Sequence, residues 1–507
     1  MRAGVKRFHR GLVCGGLAVA WLGWASITNG QCVGMELAKL TAADGASDDQ
    51  FGMAVSVSGD LVVIGSLEDD DNGSRSGSAY LYRANPSLPN VWNQEAKLLA
   101  SDGATQDQFG WSVSASADVV VVGAPGHQGS RGAAYVFRQH PAQSGVWQQE
   151  AKLVATDRSA GDLFGAAVAV SGDLIAVGAY GDDILAGAAY VFRAAAGSPG
   201  GWLQEAKLVA SDRSPVDLFG ISVAADGDVV VAGALEDDDL GNSSGSAYAF
   251  RFDGAAWSQQ AKLLASDGTN RDQFGWAVGV SGQTIVVGAR NHKPSGAAYV
   301  FAVDAFAPNG WDEAAKLTPD GAASEALFGE SVAVDGDIIA IGATEGVYGQ
   351  VQSGAAYIYR FDGCLWQGEA MVVSSDGAAL DQFGRSVAVS GDLVVVGADL
   401  DDDQGGASGS AYVFRGAADC DANDLFDMCD VLSGQAIDAD GDGVPDHCQS
   451  DTDQDGVSDA IDTCPITPSP GGVDEWGRPI ADLDHDCDVD LADFSVFTLN
   501  FGAKPTP

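Results

Sequence analysis

Four aspartate-rich stretches in the last ninety residues carry the spacing of a calcium loop. Calcium takes six to eight oxygen ligands, and a loop with side-chain oxygens at positions 1, 3, 5, 9 and 12, a carbonyl at 7 and glycine at 6 supplies them. Asp451, Asp453, Asp455, Gly456, Asp459 and Asp462 meet all of these positions. Asp438, Asp440, Asp442, Gly443 and Asp446 meet all but the last, where Gln449 stands. Asp419, Asp421, Asn423, Asp427 and Asp430 keep the spacing with Asp424 in the glycine place. Asp482, Asp484, Asp486, Asp488, Asp490 and Asp493 form a fourth loop, with Cys487 at position 6. Ca2+ is therefore the expected cofactor of the tail. A solvated acidic linker is the plain alternative, and the shared 1-3-5-Gly-9 spacing argues against it.

The charge distribution separates these loops from the rest of the chain. The protein has 507 residues and a formal net charge of −45. Residues 416–507 hold 22 acidic and two basic side chains, residues 31–415 hold 49 and 20, and residues 1–30 hold none and four. Nucleic acid is excluded as a partner, because phosphate binding needs clustered Lys and Arg. Docking on an anionic membrane surface is disfavoured for the same reason. The basic start, Arg2, Lys6, Arg7 and Arg10, precedes an apolar run from Gly11 to about Ile27. This reads as a signal peptide over 1–30, cleaved after Ala25 or Gly30, with no membrane span left afterwards. A secreted or cell-surface location follows, and it permits disulfides. Cys14 leaves with the signal and seven cysteines remain, five of them in the tail.

Between signal and tail the chain repeats. Phe-Gly pairs stand at Phe51, Phe109, Phe164, Phe219, Phe274, Phe328 and Phe383, spaced by 58, 55, 55, 55, 54 and 55 residues. Each opens four short β-branched or alternating runs bounded by Gly, Ser and Asp, the first two joined by a three-residue turn such as Ser171-Gly172-Asp173. Seven units of four antiparallel strands predict an all-β fold, a seven-bladed β-propeller over 35–416. A straight β-solenoid is the alternative. The ends favour a ring. The last unit stops after its third strand, Tyr412-Val-Phe-Arg415, and a fourth-strand phrase, Leu37-Ala38-Lys39-Leu40, precedes the first unit. The N-terminal strand is thus expected to complete the seventh blade, with a Cys32–Cys420 disulfide clasping the closure.

Three periodic features invite a functional reading and a mechanical one. Tyr80, Tyr135, Tyr190, Tyr248, Tyr299, Tyr357 and Tyr412 recur once per unit, and Trp92, Trp147, Trp202, Trp257, Trp311 and Trp366 in six units. They could stack on sugars, but strict periodicity favours packing between blades. Aspartate pairs such as Asp44 with Asp49 and Asp102 with Asp107 precede each Phe-Gly, with Glu325 opposite Asp320 in the sixth unit. They could ligate ions, but capping of turns is the simpler expectation. Glu68-Asp69-Asp70-Asp71, Glu236-Asp237-Asp238-Asp239 and Asp401-Asp402-Asp403 lie in loops that vary from unit to unit. These loops are either a partner-binding surface or solvated acid.

The phrase Phe-Gly, Ser-Val-Ala, Val-Val-Gly-Ala resembles the FG-GAP repeat of integrin α-subunit propellers and related bacterial surface proteins. That family's blades often bind calcium through an Asp-x-Asp-x-Asp-Gly loop. Here the loop has shrunk to Ser58-Gly59-Asp60 and its equivalents, which argues against sites of that type. Residues 419–465 resemble thrombospondin type 3 repeats, where calcium and disulfides substitute for an apolar core; Cys429 and Cys448 both fall at position 11 of their loops. Residues 480–503, a calcium loop leading to Phe494, Phe497 and Phe501 on one helix face, resemble half of a type I dockerin. That resemblance implies a cohesin-like or cell-surface partner.

No catalytic constellation accompanies these motifs. The six histidines form no His-x-x-x-His pair, and there is no nucleophile elbow or phosphate loop. The expectation is a non-enzymatic, calcium-binding adhesion protein whose propeller recognises an extracellular protein or glycan. The alternative is a scaffold or accessory component of an extracellular polysaccharide-degrading assembly, held by its dockerin-like end. Chelation separates the two halves of the chain. EDTA should expose 419–493 to protease and leave the propeller's cooperative melt in place; equal cleavage with and without calcium would refute the tail assignment.

Overall fold

The computed structural model describes residues 36–415, apart from 89, 141, 144, 196–199, 304–309, 320–324 and 348–350. The expected signal peptide 1–30, the segments 419–465 and 480–503 with all their calcium loops, and the Cys32–Cys420 clasp lie outside the described residues.

The described residues form a seven-bladed β-propeller of four-stranded antiparallel sheets. In the first blade β2 (Phe51–Ser58), β3 (Leu61–Ser66), β4 (Ser78–Ala84) and β5 (Trp92–Leu98) follow in order from the axis outwards. The seventh blade takes its inner three strands from the end of the array and its outer strand, β1 (Glu36–Leu40), from the beginning. In that blade Lys39 lies opposite Tyr412, and the ring closes as expected.

The second strand of each blade is apolar on both faces because both faces are covered. Leu61 and Val63 pack towards the second blade with Phe109, Val120 and Val122. Val62 and Ile64 point the other way, towards Val395 and Val413 of the seventh. A period of two thus feeds two separate inter-blade cores, and one such core lies between each pair of neighbours. The tyrosines settle into these cores: all but Tyr357 are wholly buried, so a sugar-stacking role is closed to them. The tryptophans sit on the half-exposed outer strands, where Trp147 Nε1 donates to Glu95 of the preceding blade at 2.6 Å.

The Phe-Gly motif has a backbone role. Phe109 pairs with Gly77 of the preceding blade in a lone parallel bridge, and the same bridge recurs around the ring to Phe51 with Gly409. A Cβ on Gly77 would stand 1.9 Å from the Phe109 carbonyl oxygen, and its φ is +77°. Only glycine satisfies both demands.

Two local expectations need correction. The first turn of each blade has two residues, not three: Ser58 already pairs with Leu61, which leaves Gly59-Asp60 as the turn, with Gly59 at φ +58°. A glycine at the first central position suits a tight hairpin whose twist matches its strands. The variable loops also contain two irregular helical turns, His127–Ser130 and Asp182–Leu185, which the strand pattern did not suggest. Cys364, beside the turn before Trp366, is disulfide-bonded.

The glycines give a graded test. Gly187→Ala places a Cβ 2.0 Å from the Phe219 carbonyl oxygen, whereas Gly172→Ala meets nothing within 4 Å. Urea unfolding should show a loss of roughly 3 kcal/mol for the first and about 1 kcal/mol for the second. Ala117, at φ +52° in the second blade, shows that the turn tolerates alanine. Equal losses would remove the close approach as the reason for the glycine.

Candidate functional site

Strand direction puts the crossover loops, the loops between second and third strands, and the Phe-Gly bulges at one end of the ring. We refer to this end as the loop face. Six of the seven blades carry the same ionic lock there. In the first blade Lys97, on β5, reaches Asp44 at 2.8 Å, Asp69 at 2.9 Å and Asp71 at 2.7 Å. The Tyr80 hydroxyl donates to Asp44 and Asp69, each at 2.9 Å. The ammonium also lies 5.1 Å from the Tyr80 ring centre, a cation–π distance. Lys39, Lys152, Lys207, Lys262 and Lys316 repeat the arrangement over Tyr412, Tyr135, Tyr190, Tyr248 and Tyr299.

The two members of each aspartate pair do different work. The second member caps a turn, as expected: Asp49 accepts from the Ala46 N–H at 2.7 Å. Burial, reinforced by neighbouring carboxylates, raises the pKa of Asp49, Asp162, Asp217 and Asp381. The first member joins the lock. Burial opposes ionisation of Asp44, Asp157, Asp212 and Asp376, but the lysine and tyrosine outweigh it and hold each carboxyl below its ordinary range. The matching lysines Lys97, Lys207, Lys262 and Lys39 are held above theirs; burial pulls them down and the carboxylates win.

The acidic loops are therefore only partly solvated. Asp69, Asp237 and Asp401 are buried acceptors of the lock, and their neighbours Asp70, Asp238 and Asp402 face solvent. Between two loops of the fourth blade an acidic cavity of about 380 Å³ opens, lined among others by Asp212, Asp217, Glu236 and Asp239. In the seventh blade Asp376, Asp401 and Asp403 converge closely enough to hold a cation, and Lys39 Nζ stands among them at 2.6, 3.0 and 2.5 Å. Histidine replaces the buried aspartate in blades two and five. His127 Nδ1 lies 2.7 Å from Asp107 and His292 Nδ1 lies 2.8 Å from Asp272.

The sixth blade corrects one expectation. Glu325 is not the second aspartate's counterpart: it shares the positive φ of Asp48, is exposed, and reaches only Lys293 at 3.7 Å. Buried Ala326 holds the Asp49 place, Gly346 the Asp69 place and Met371 the lysine place. The buried loop acid and the lysine of the lock are lost together there, and the turn-capping aspartate with them.

The opposite face cannot host the loops of an integrin-type calcium site. Six of the seven two-residue turns offer one aspartate, Gln283 standing in the fifth, and arginine claims it: Arg83 binds Asp60 at 2.6 Å and Arg138 binds Asp118 at 2.9 Å.

Sequence reasoning overlooked two positions on the loop face. They follow Phe-Gly and Gly-Ala, and their occupants break the repeat. Blades one to four place Met53, Trp111, Ala166 and Ile221 after Phe-Gly, and Leu67, Pro125, Tyr180 and Leu235 after the second strand. Blades five to seven place Arg290, Glu330, Arg385 and Asp399 at these positions, at the end of the inner strands nearest the axis. Arg290 donates to Glu330 Oε2 at 2.8 Å and Arg385 to Glu330 Oε1. Arg290 also stacks on Trp276, 3.1 Å from the ring centre. Glu330 and Asp399 are buried, and burial pushes the Asp399 carboxyl up to about 6 against the pull of Arg385. The signal was available as the positions where an otherwise faithful repeat changes residue class.

The FG-GAP repeat model matches residues 35–82, 92–137, 147–192, 202–250, 257–301, 311–359 and 366–414, and the chain belongs to that family. A thrombospondin type 3 repeat matches 437–471, which takes in the loops that begin at Asp438 and Asp451. Repeats of both kinds are generally calcium-binding and typical of extracellular proteins. No helix among the described residues is long and apolar enough to cross a membrane. No curated protein matches the sequence. Among solved structures, the crystal structure of the Saccharomyces cerevisiae Sqt1 is 11% identical, covers 76% of this chain and 99% of its own, and has a TM-score of 0.41.

The lock can be tested with substitutes that the chain itself provides. Lys207→Met leaves Asp182, which is 6% exposed, with only the Arg213 guanidinium at 3.7 Å in place of the ammonium at 2.9 Å. This should cost on the order of 3 kcal/mol at pH 7, and adding Asp182→Gly, the sixth-blade pair, should restore part of it. Carboxyls held below their ordinary range stabilise above it and lose that contribution as pH falls through the folded value. The loss measured for Lys207→Met should therefore shrink below pH 4; a pH-independent loss in chemical unfolding would point to packing instead.

Proposed function

We propose that this is a secreted or cell-surface calcium-binding recognition protein without catalytic activity. Its propeller holds an extracellular protein or glycan on the loop face, and its aspartate-rich tail tethers it. The observation that carries this reading is the breakdown of the repeat on that face. Elsewhere the seven blades copy one another, whereas the loop face varies in charge, loop sequence and the residues at the axial mouth. Rigid scaffolds commonly present recognition on variable loops.

The matched segment 437–471 supports calcium binding by the loops that begin at Asp438 and Asp451. The loops at Asp419 and Asp482 extend the same chemistry on spacing alone. Residues 480–503, with their dockerin-like loop and apolar face, are the proposed attachment to a cohesin-like or cell-surface partner.

The test uses the full chain on an oligosaccharide array and on immobilised cell-surface extract. Replacing the exposed Asp70, Asp238 and Asp402 together with Lys should lower binding at least tenfold. Leu203→Ser, on an outer strand and 65% exposed, should leave it unchanged. Wild-type binding by the triple variant would sink the loop-face assignment, and removal of 480–507 should abolish surface attachment while sparing ligand binding.

A further inference from the structure

The ionic group at the axial mouth is costly and the fold does not need it. Blades one to four fill both positions without a charge, so the frame closes equally well without ions there. Placing four charges here, two of them buried and two half-buried, is repaid only when each finds its partners. Three of them do. Glu330, with a side chain 3% exposed, is gripped by Arg290 and Arg385 on its two oxygens. Asp399 does not: it is 4% exposed, and its Oδ1 has no hydrogen-bond partner. Arg385, whose charge pulls on it, bonds Glu330 through Nη1, and its other side-chain N–H groups bond to no other side chain among the described residues. A buried acceptor without a donor thus shares the mouth with a guanidinium that has donors to spare but does not pair with it.

We propose that the axial mouth at blades five to seven binds a vicinal diol of a sugar, Asp399 accepting from one hydroxyl while Arg385 donates to its neighbour. Adjacent hydroxyls each donate and accept, so a diol answers both unmet groups at once. A lone ammonium would satisfy Asp399 and meet the like charge of Arg385; a lone carboxylate would satisfy Arg385 and meet that of Asp399. The proposal rests on the reading of the loop face as the recognition surface, and it names the ligand class of that surface.

The test again uses the full chain, on an array of oligosaccharides with free diols. Asp399→Leu copies Leu67 and Leu235 and should fold with wild-type melting, whereas Arg385→Ile copies Ile221 and should fold with a lower melting temperature, because Glu330 keeps only one of its two arginines. Each should lose at least tenfold in glycan binding. Asp399→Asn keeps an acceptor and should retain part of the binding. Wild-type binding should fall between pH 7.5 and pH 5 as the Asp399 carboxylate is protonated, and Asp399→Asn should not show that fall. Should the apolar variants misfold, this pH contrast decides. Glycan binding that survives both apolar substitutions overturns the proposal and leaves the loop-face reading standing. So does the absence of array binding combined with capture of a cell-surface protein that the Asp70, Asp238 and Asp402 variant loses. Absence of both kinds of binding overturns both.

Discussion

The ring depends on one close approach, the point where the backbone of one blade meets the backbone of the next. The Phe51 N–H donates to the Ser408 carbonyl at 3.0 Å, and the Phe109 N–H donates to the Ser76 carbonyl at the same distance. Each contact requires a glycine in the preceding blade, because any side chain would enter the facing carbonyl. Once the main chains are this close, the phenylalanine of each motif is delivered edge-on to a tyrosine, with centroids 5.3 Å apart for Phe51 and Tyr80. The tyrosine hydroxyl then emerges at the loop face, where the lysine and the first aspartate meet it. Glycine, phenylalanine, tyrosine and lysine are thus consecutive parts of one device.

The charges inside that device keep account of one another. Blade six replaces the lysine and the buried loop acid of the lock at once, Met371 for the cation and Gly346 for the carboxylate. Blade five does the same on the opposite face, where Ala302 stands for the arginine and Gln283 for its aspartate. A buried charge without its partner is penalised far more than the absence of both. The seven blades therefore read like a set of double substitutions within one molecule. They identify the acids of the loop face as counter-ions of a resident cation.

Much of this architecture was legible in the sequence because it is local or periodic. Seven Phe-Gly pairs at a near-constant interval, and a strand phrase displaced to the N-terminus, announce the blades and the closure. The lock was not legible, although its lysine recurs in plain view in Ala-Lys-Leu. Lys97 and Asp44 are 53 residues apart, and only the turn of the ring brings them together. Glu325 misled for a related reason: a spacing of five residues from Asp320 suggested a pair, but the glutamate falls one place out of register with the buried position. At the axial mouth Arg290, Glu330 and Arg385 come from three different blades, so no linear spacing connects them. What sequence does show there is the departure from the repeat, and that is where the chemistry lies.

The resident lysines also set the two parts of the chain apart in what they require from solution. In six blades the carboxylates converge on an ammonium that is covalently part of the protein and cannot be chelated away. Residues 437–471 hold aspartates at comparable density and contain no lysine or arginine at all. Their mutual repulsion has no internal counter-charge, so a compact arrangement there needs a cation from the medium. The two parts thus differ in where a counter-charge can come from. Within the ring it is built in and fixes the loops that present the mouth. Beyond the ring, residues 437–471 carry no such cation, and they match a repeat that is generally calcium-binding.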